Sequence, residues 1–433
     1  GASSGMAMAH WEIQGWMILI LGWVFVPFYS RSMVYTMPEF LERRYNPQSR
    51  TILSVISLVS YVLTKVAVTV YAGGLVFQQV FGIKELWGID FFWIAAIGLV
   101  VLTALYTIFG GMKSVLYTSV LQTPILLLGS LIILVLGFKE LGGWDEMMRV
   151  CGAVTVNDYG DTMTNLIRSN DDANFPWLGA LIGSAIIGFW YWCTDQFIVQ
   201  RVLSGKNEKE ARRGTIFGAY LKLLPVFLFL IPGMIAFALH QKYIGAGGEG
   251  FLPMLANGTA NADAAFPTLV AKLLPAGVKG LVVCGILAAL MSSLASLFNS
   301  SAMLFTIDFY KRFRPETPEK KLVGIGQIAT VVIVILGILW IPIMRSVGDV
   351  LYTYLQDVQS VLAPGIAAAF LLGICWKRTS AQGGMWGLIA GMIIGLTRLG
   401  AKVYYSNAGE VADSTFKYLF YDMNWLFFCG WMF

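Results

Sequence analysis

The chain is poor in charge. Asp, Glu, Lys and Arg make up 13% of its 433 residues, where soluble domains carry about a quarter. Hydrophobic residues reach 57% and the mean hydropathy is +0.69, which excludes a water-soluble globule and points to an integral membrane protein. Histidine occurs twice, at His10 and His240, too few to build a zinc or haem site. The five cysteines (Cys151, Cys193, Cys284, Cys375 and Cys429) share no metal-ligand spacing, and four lie in apolar runs. They read as small buried residues. No nucleophile–base pair or metal cluster is legible, so an enzyme is not expected. Strand-like alternation is missing, which excludes a barrel in favour of helices. The opening Gly1-Ala-Ser-Ser-Gly5 lacks a basic n-region, so no signal peptide is expected there.

What is present is a series of continuous apolar runs. They fall near 12–29, 52–81, 91–108, 117–138, 177–199, 215–238, 277–308, 323–344, 350–376, 385–400 and 418–433. The length accommodates roughly eleven or twelve spans of about twenty residues each. The net charge of +5 is not pooled as a nucleic-acid patch would be. It sits in short loops: Arg31, Arg43, Arg44 and Arg50; Arg201 to Arg213; Lys311 to Lys321; Lys377 and Arg378. Given these runs, all four loops share one side, which the positive-inside rule makes cytoplasmic. The segment 139–176 carries seven acids against three bases and reads as an external loop. Met37–Tyr45 and Val202–Arg213 look amphipathic, as interfacial helices do.

The most informative stretch is Gly188-Phe-Trp-Tyr-Trp-Cys-Thr-Asp195, inside an apolar run. Gly188, Tyr191, Trp192 and Asp195 follow helical spacing and predict one shared face. A carboxylate beside two aromatics at that depth predicts a polar-aromatic pocket for a solute; the plainer alternative is packing aromatics and a partly hydrated Asp195. Ala289, Ser292, Ser293 and Ser296 line another helix face. Small residues at that spacing permit close helix approach, but two hydroxyls with backbone carbonyls also replace part of the hydration shell of Na+. Lys222 either snorkels or donates to a ligand hydroxyl. Gln356 offers an amide donor and acceptor suited to a polyol, and Pro364-Gly365 is expected to break or kink its helix. Glu12 beside Trp11 suits hydroxyl acceptance and ring stacking, or else an interfacial belt. Lys65 and Arg398 are intramembrane charges whose partners the sequence does not disclose.

Together these segments resemble the sodium:solute symporter family, most closely its sodium/glucose and sodium/galactose branch. The likeness rests on Thr107 to Gln122, on Phe189 to Gln196 with Gln200-Arg201, on Ala289 to Ser293 with Asn299-Ser-Ser and Asp308-Phe-Tyr-Lys, and on Trp376 to Gly387. It implies an all-α polytopic fold of two inverted five-helix (LeuT-like) repeats with broken helices. The whole chain, 1–433, is then one transporter domain: 1–138 the remainder of the first repeat, 139–176 an external loop, 177–376 the second repeat and 377–433 additional helices. It also implies sodium-driven alternating access, with Na+ the co-transported ion, in a plasma or bacterial inner membrane.

By family position, Glu12, Gly188, Tyr191, Trp192, Lys222 and Gln356 contact a neutral sugar. Tyr191 is the inner gate, Trp11 and Tyr352 cap the site from outside, and the Ala289 carbonyl with Ser292 and Ser293 holds Na+. Glucose or galactose comes first; inositol, sialic acid, another small solute, or an uncoupled sensor or channel stand as alternatives. No nucleic-acid partner is expected, and the oligomeric state is not legible. Three departures accompany the resemblance. The family's first core helix belongs ahead of Gly1, leaving Gly1–His10 as its outer tail, so the chain as written is not expected to transport. Ser119 stands where relatives commonly carry Asp, against a second coupled cation. Gly188 replaces Asn or Thr, which predicts a roomier pocket.

Overall fold

The structure is a computed structural model. It describes the chain apart from residues 13, 35, 256–257, 348–350 and 408–412, and side chains additionally apart from 106, 108–116, 118, 121, 343–353 and 406–412. Among the described residues, nine helices are long and apolar enough to cross a membrane, with a shorter apolar helix at Phe91–Leu105. Among the described residues the molecule is mostly helical; a two-stranded antiparallel ribbon pairs Glu85 with Asp90 and Leu86 with Ile89. The runs expected at 91–108 and 117–138 lie in one continuous helix, Phe91–Leu141. The segment between them holds a single charge, Lys113, and no proline, so nothing in it bars helical backbone. The amphipathic segment 202–213 is not one helix: the turn at Ser204–Lys206 interrupts it, and Asn207 caps a new helix by accepting from the Glu210 amide at 2.9 Å.

The chain divides into two compact units. The first comprises 1–13, 68–172 and 223–296. Its core gathers Met234, Ile235 and Leu239 with Ile133, Leu141, Met147, Leu269 and Val282. Gly129 and Gly285 carry no side chain where Val282 and Ile125 press in, at 2.4 and 3.0 Å from an added Cβ. Above the apolar core lies a polar loop. Asn157 donates to Asp161 and Asp172 at 2.9 Å each, and Arg168 pairs with Asp172. Burial pulls the Arg168 guanidinium below its ordinary pKa while Asp172 opposes the shift. Burial likewise pushes the Cys151 thiol up to about 11, so it is protonated and inert at neutral pH. Cys284 and Cys375 depart from the expected burial: both are exposed on helix surfaces, where an apolar thiol is tolerated beside lipid.

The second unit comprises 14–67, 173–222 and 297–433. Its helices used below are α1 (Gly15–Ile20), α2 (Met37–Arg44), α3 (Pro47–Ser60), α4 (Trp177–Gly188), α5 (Gln196–Leu203), α6 (Glu208–Leu221), α7 (Leu351–Cys375), α8 (Ala381–Asn407) and α9 (Trp425–Met432). Local chemistry starts them where they start. Thr36 caps α2 by accepting from the Glu39 amide at 3.2 Å, and Asn46 caps α3, which opens on Pro47. Arg44 then reaches the far end of α7 and donates to the carbonyls of Gly373 at 2.5 Å and Trp376 at 3.0 Å, groups a helix terminus leaves unpaired. Arg50 bridges Glu42 at 2.6 Å and the buried Asp308 at 2.7 Å, and Thr36 also donates to Asp308 at 2.9 Å.

Helix α7 runs unbroken through Pro364. The expected break is absent, and Gly365 serves close packing instead. An added Cβ on Gly391 of α8 would stand 2.8 Å from Gly365 Cα, and one on Gly395 would stand 2.3 Å from the Val361 carbonyl oxygen. Backbones at that separation require glycine. The same helix pair buries charge. Lys402 donates to Asp357 Oδ2, and Arg398 Nε lies 4.0 Å from Oδ1. The guanidinium also donates to the carbonyls of Leu419 and Met423, which satisfies the break between Asp422 and α9.

Two outcomes follow for thermal stability in detergent. Gly395→Ala lowers the unfolding midpoint, by an overpacking cost of about 1–3 kcal/mol or more, while Gly387→Ala, inside the same helix and with a Cβ that would meet nothing within 4 Å, does not lower it. Asp357→Asn removes the anion from the buried Arg398 and the part-buried Lys402 and costs about 3–5 kcal/mol, whereas Asp413→Asn, on a solvent-exposed carboxylate, leaves the midpoint nearly unchanged. Equal midpoints for the two aspartate variants would contradict the burial argument.

Candidate functional site

The predicted solute segment folds differently from an α-helix. Helix α4 ends at Gly188 and continues as a π-helical segment, Phe189–Thr194. Asp195 then has extended backbone, φ −77° and ψ 127°, before α5 begins. Gly188, Tyr191, Trp192 and Asp195 therefore do not share one α-helical face; widened π pairing and the break rotate Asp195 out of it. Instead Asp195 caps α5, its Oδ1 accepting from the Phe197 amide at 3.0 Å and from the Tyr61 hydroxyl at 2.8 Å. Its Oδ2 receives the ammonium of Lys65. Both ions are almost fully buried, with side chains 3% and 7% exposed. The expectation of a solute-facing or partly hydrated carboxylate is corrected: Asp195 is spent on an internal ion pair at a helix break.

The π segment is the hub of its unit. Against it pack α1, α5 and α7. Phe189 meets Phe25 edge-on at 5.5 Å, the Tyr29 hydroxyl donates to the Cys193 carbonyl at 2.8 Å, and Thr194 bonds back to Trp190. Tyr191 and Trp192 stand edge to face with ring centroids 5.0 Å apart. The Trp192 indole Nε1 is buried and has no hydrogen-bond partner among the described residues. On α7, Gln356 is 8% exposed and its carboxamide Oε1 is likewise buried without a partner among the described residues. An orphaned donor and an orphaned acceptor thus lie on two elements that pack together.

Gly188 does not open extra room. An added Cβ would stand 3.2 Å from the side chains of both Gln14 and Met17. Gln14, buried and donating to the Ser184 carbonyl at 3.3 Å, fills the space beside it. That residue went unnoticed in the sequence, because only tertiary packing sets its carboxamide opposite Gly188. Lys222 sits just past α6, in a turn ahead of Pro225, and its stem packs 3.5 Å from an added Cβ on Gly15. Lys222 and Gly188 therefore flank the same stretch, Gln14–Met17. The Tyr352 side chain lies outside the described residues, as do most side chains of the 107–122 segment.

The remaining predicted residues belong to the first unit. Trp11 is buried and Glu12 half-buried on the short helix Ala9–Glu12. Ala289, Ser292 and Ser293 lie in the helix Ala276–Met303, which is unbroken there, so the Ala289 carbonyl already accepts within the ladder and any cation would share it. Ser292 is buried; its carbonyl accepts from Ser296 at 3.0 Å, and its hydroxyl lies 2.5 Å from that of Ser119. Ser119, read as a departure, thus adds a hydroxyl beside the predicted cation ligands.

Comparison with known proteins agrees with this architecture. The model of the sodium:solute symporter family matches residues 1–391. Sodium/myo-inositol cotransporter 2 of Homo sapiens is 37% identical over 412 residues, 92% of this chain and 60% of its own. Sodium/glucose cotransporter 4 of Mus musculus is 37% identical over 94% of this chain and 60% of its own. A sodium/mannose cotransporter of Bos taurus is 39% identical over 89% and 65%. The chain spans about 60% of the length of the first two. Among solved structures, a Na+-coupled sialic acid symporter in a substrate-bound outward-open state superposes with a TM-score of 0.72 at 22% identity, covering 100% of this chain and 82% of its own. The fold is therefore the LeuT-like transporter fold, in a multi-pass integral membrane protein. On the family match and these identities, the chain belongs to the sodium:solute symporter family.

Proposed function

We propose that the protein is a sodium-driven symporter for a neutral polyhydroxylated solute, a hexose such as glucose or galactose first. The observation that carries this reading is the pair of buried atoms without a hydrogen-bond partner among the described residues, Trp192 Nε1 and Gln356 Oε1, on two elements that pack together. A sugar hydroxyl both donates and accepts, so it can satisfy each, and leaving either unpaired costs about 1–3 kcal/mol. Tyr191 supplies the ring face, with Lys222 and the Gln14 beside Gly188 as further polar groups. The cations Lys65 and Lys402 are each committed to an aspartate, so neither is the counter-charge that a carboxylated solute would need. On the sodium side, the hydroxyls of Ser292 and Ser293, the shared Ala289 carbonyl and the Ser119 hydroxyl adjoining Ser292 offer hard oxygen donors that would replace part of the hydration shell of Na+.

In this reading, 1–138 is the remainder of the first inverted repeat, 139–176 an external loop, 177–376 the second repeat and 377–433 the additional helices. One Na+ moving inward supplies about 2.3 kcal/mol per 100 mV of membrane potential, enough to concentrate an uncharged sugar well over tenfold. Coupling is reciprocal: Na+ favours the arrangement that binds solute, and bound solute raises Na+ affinity by the same factor. The second reading is myo-inositol, which presents the same hydroxyl chemistry and is the solute named for the human relative.

The decisive assay is uptake of radiolabelled glucose, galactose and myo-inositol into proteoliposomes holding the full-length protein, with and without an inward Na+ gradient. Hexose uptake that requires Na+ is expected. Gln356→Ala and Ser293→Ala should each reduce it by about tenfold or more, the former through sugar affinity and the latter through Na+ affinity. Na+-dependent uptake of inositol alone overturns the substrate, and flux indifferent to Na+ overturns the coupling.

A further inference from the structure

Lys65 is an intramembrane ammonium for which the transport reading has no use. A snorkelling lysine exposes its head group; this one is buried in a π-helical segment of its own, Tyr61–Val66. Its Nζ donates to Asp195 Oδ2 and lies 4.7 Å from the ring centroid of Tyr61, 4.8 Å from that of Tyr191 and 4.5 Å from that of Phe197. One carboxylate and three aromatic faces thus enclose a single cation. The walls of this box belong to different elements. Tyr61 comes from the same π segment as Lys65, Tyr191 from the π segment of the solute site, and Asp195 and Phe197 from the break that follows.

Charge neutralisation alone would need only Asp195. Three ring faces add attraction that depends on distance and orientation, and so fix where each ring stands. π segments are costly insertions that persist mostly at functional positions, and here two of them meet through one ion. Removing the ammonium would leave the Tyr191 ring without its cation contact and Asp195 as a buried anion at the helix break.

We propose that Lys65 is a positioning residue for the solute site: its ammonium, pinned by Asp195, holds the Tyr191 ring in the orientation that meets the solute. This deepens the transport reading and rests on it. Because the box requires a cation and not the lysine stem, a small alkylammonium from solution can take the place of a truncated side chain.

The test uses the full-length protein in proteoliposomes and whichever sugar the wild type carries. In Lys65→Ala the sugar half-saturation constant should rise about tenfold while that for Na+ moves less than threefold, and millimolar propylammonium should recover at least half of the loss. Lys65→Met, which fills the same volume without charge, should show the defect and no rescue; Lys65→Arg, which keeps a cation, should be less impaired than either. A sugar constant within about threefold of wild type in Lys65→Ala, or a defect that propylammonium does not move, overturns the proposal. A second arm needs no transported solute. In a protein whose only cysteine is Cys193, buried in the same π segment, Lys65→Ala should speed maleimide labelling at least threefold and propylammonium should slow it again. Unchanged labelling overturns the role of Lys65, whereas a wild type that carries no sugar overturns the transport reading alone. Should Lys65→Ala fail to insert, Asp195→Asn, which unpins the ammonium, should speed labelling at least threefold without reversal by propylammonium, and unchanged labelling again overturns the role of Lys65.

Discussion

Within the unit formed by 14–67, 173–222 and 297–433, the structure turns on one helix break. Where Thr194 gives way to Asp195, the backbone leaves the helical ladder in an apolar setting that offers no water to satisfy it. Asp195 answers with both oxygens: one takes the Phe197 amide and the Tyr61 hydroxyl, the other takes Lys65. An anion there without a cation would be among the most expensive groups in the molecule. Once it is paired, the break is a stable feature, and the aromatic segment just before it can project its side chains without depending on regular helical geometry.

The same solution recurs at other helix ends and buried charges of this unit. Asp308 joins Arg50 and Thr36 where α2 and α3 begin, and Arg44 closes the carbonyl end of α7. Asp357 receives Lys402, while Arg398 satisfies the carbonyls of Leu419 and Met423. Such pairs add little net stability compared with apolar packing, but they specify which backbone ends meet. Glycine does the complementary work between α7 and α8, where no side chain fits. Fold rigidity and site chemistry therefore draw on one set of residues, and Gln356 lies immediately before Asp357 in the same helix turn.

Some of this was readable from residues alone. Composition announces a membrane protein because 13% charge cannot clothe a globule, and continuous apolar runs announce helices because lipid tolerates no unpaired backbone. The motifs around Phe189–Gln196 and Ala289–Ser293 point to a transporter family. Other readings fail for stated reasons. Helical spacing placed Asp195 on the face of Tyr191, but spacing assumes α geometry and the segment is π-helical. Pro364-Gly365 suggested a broken or kinked helix, but the helical ladder of α7 continues past it without a break. Gly188 suggested empty volume, but volume belongs to neighbours, and Gln14 and Met17 occupy it.

The sequence by itself determined the solvent of this protein, its helical class and its family, because these depend on local composition, run length and short motifs. Only the tertiary structure decided which charges neutralise one another and which polar atoms remain without a partner. Lys65 and Asp195 lie 130 residues apart and Tyr61 and Asp195 lie 134 apart. No periodicity or propensity relates positions at that separation. Their pairing follows from how helices stack in three dimensions, where burial makes an unmatched charge intolerable and so selects its partner.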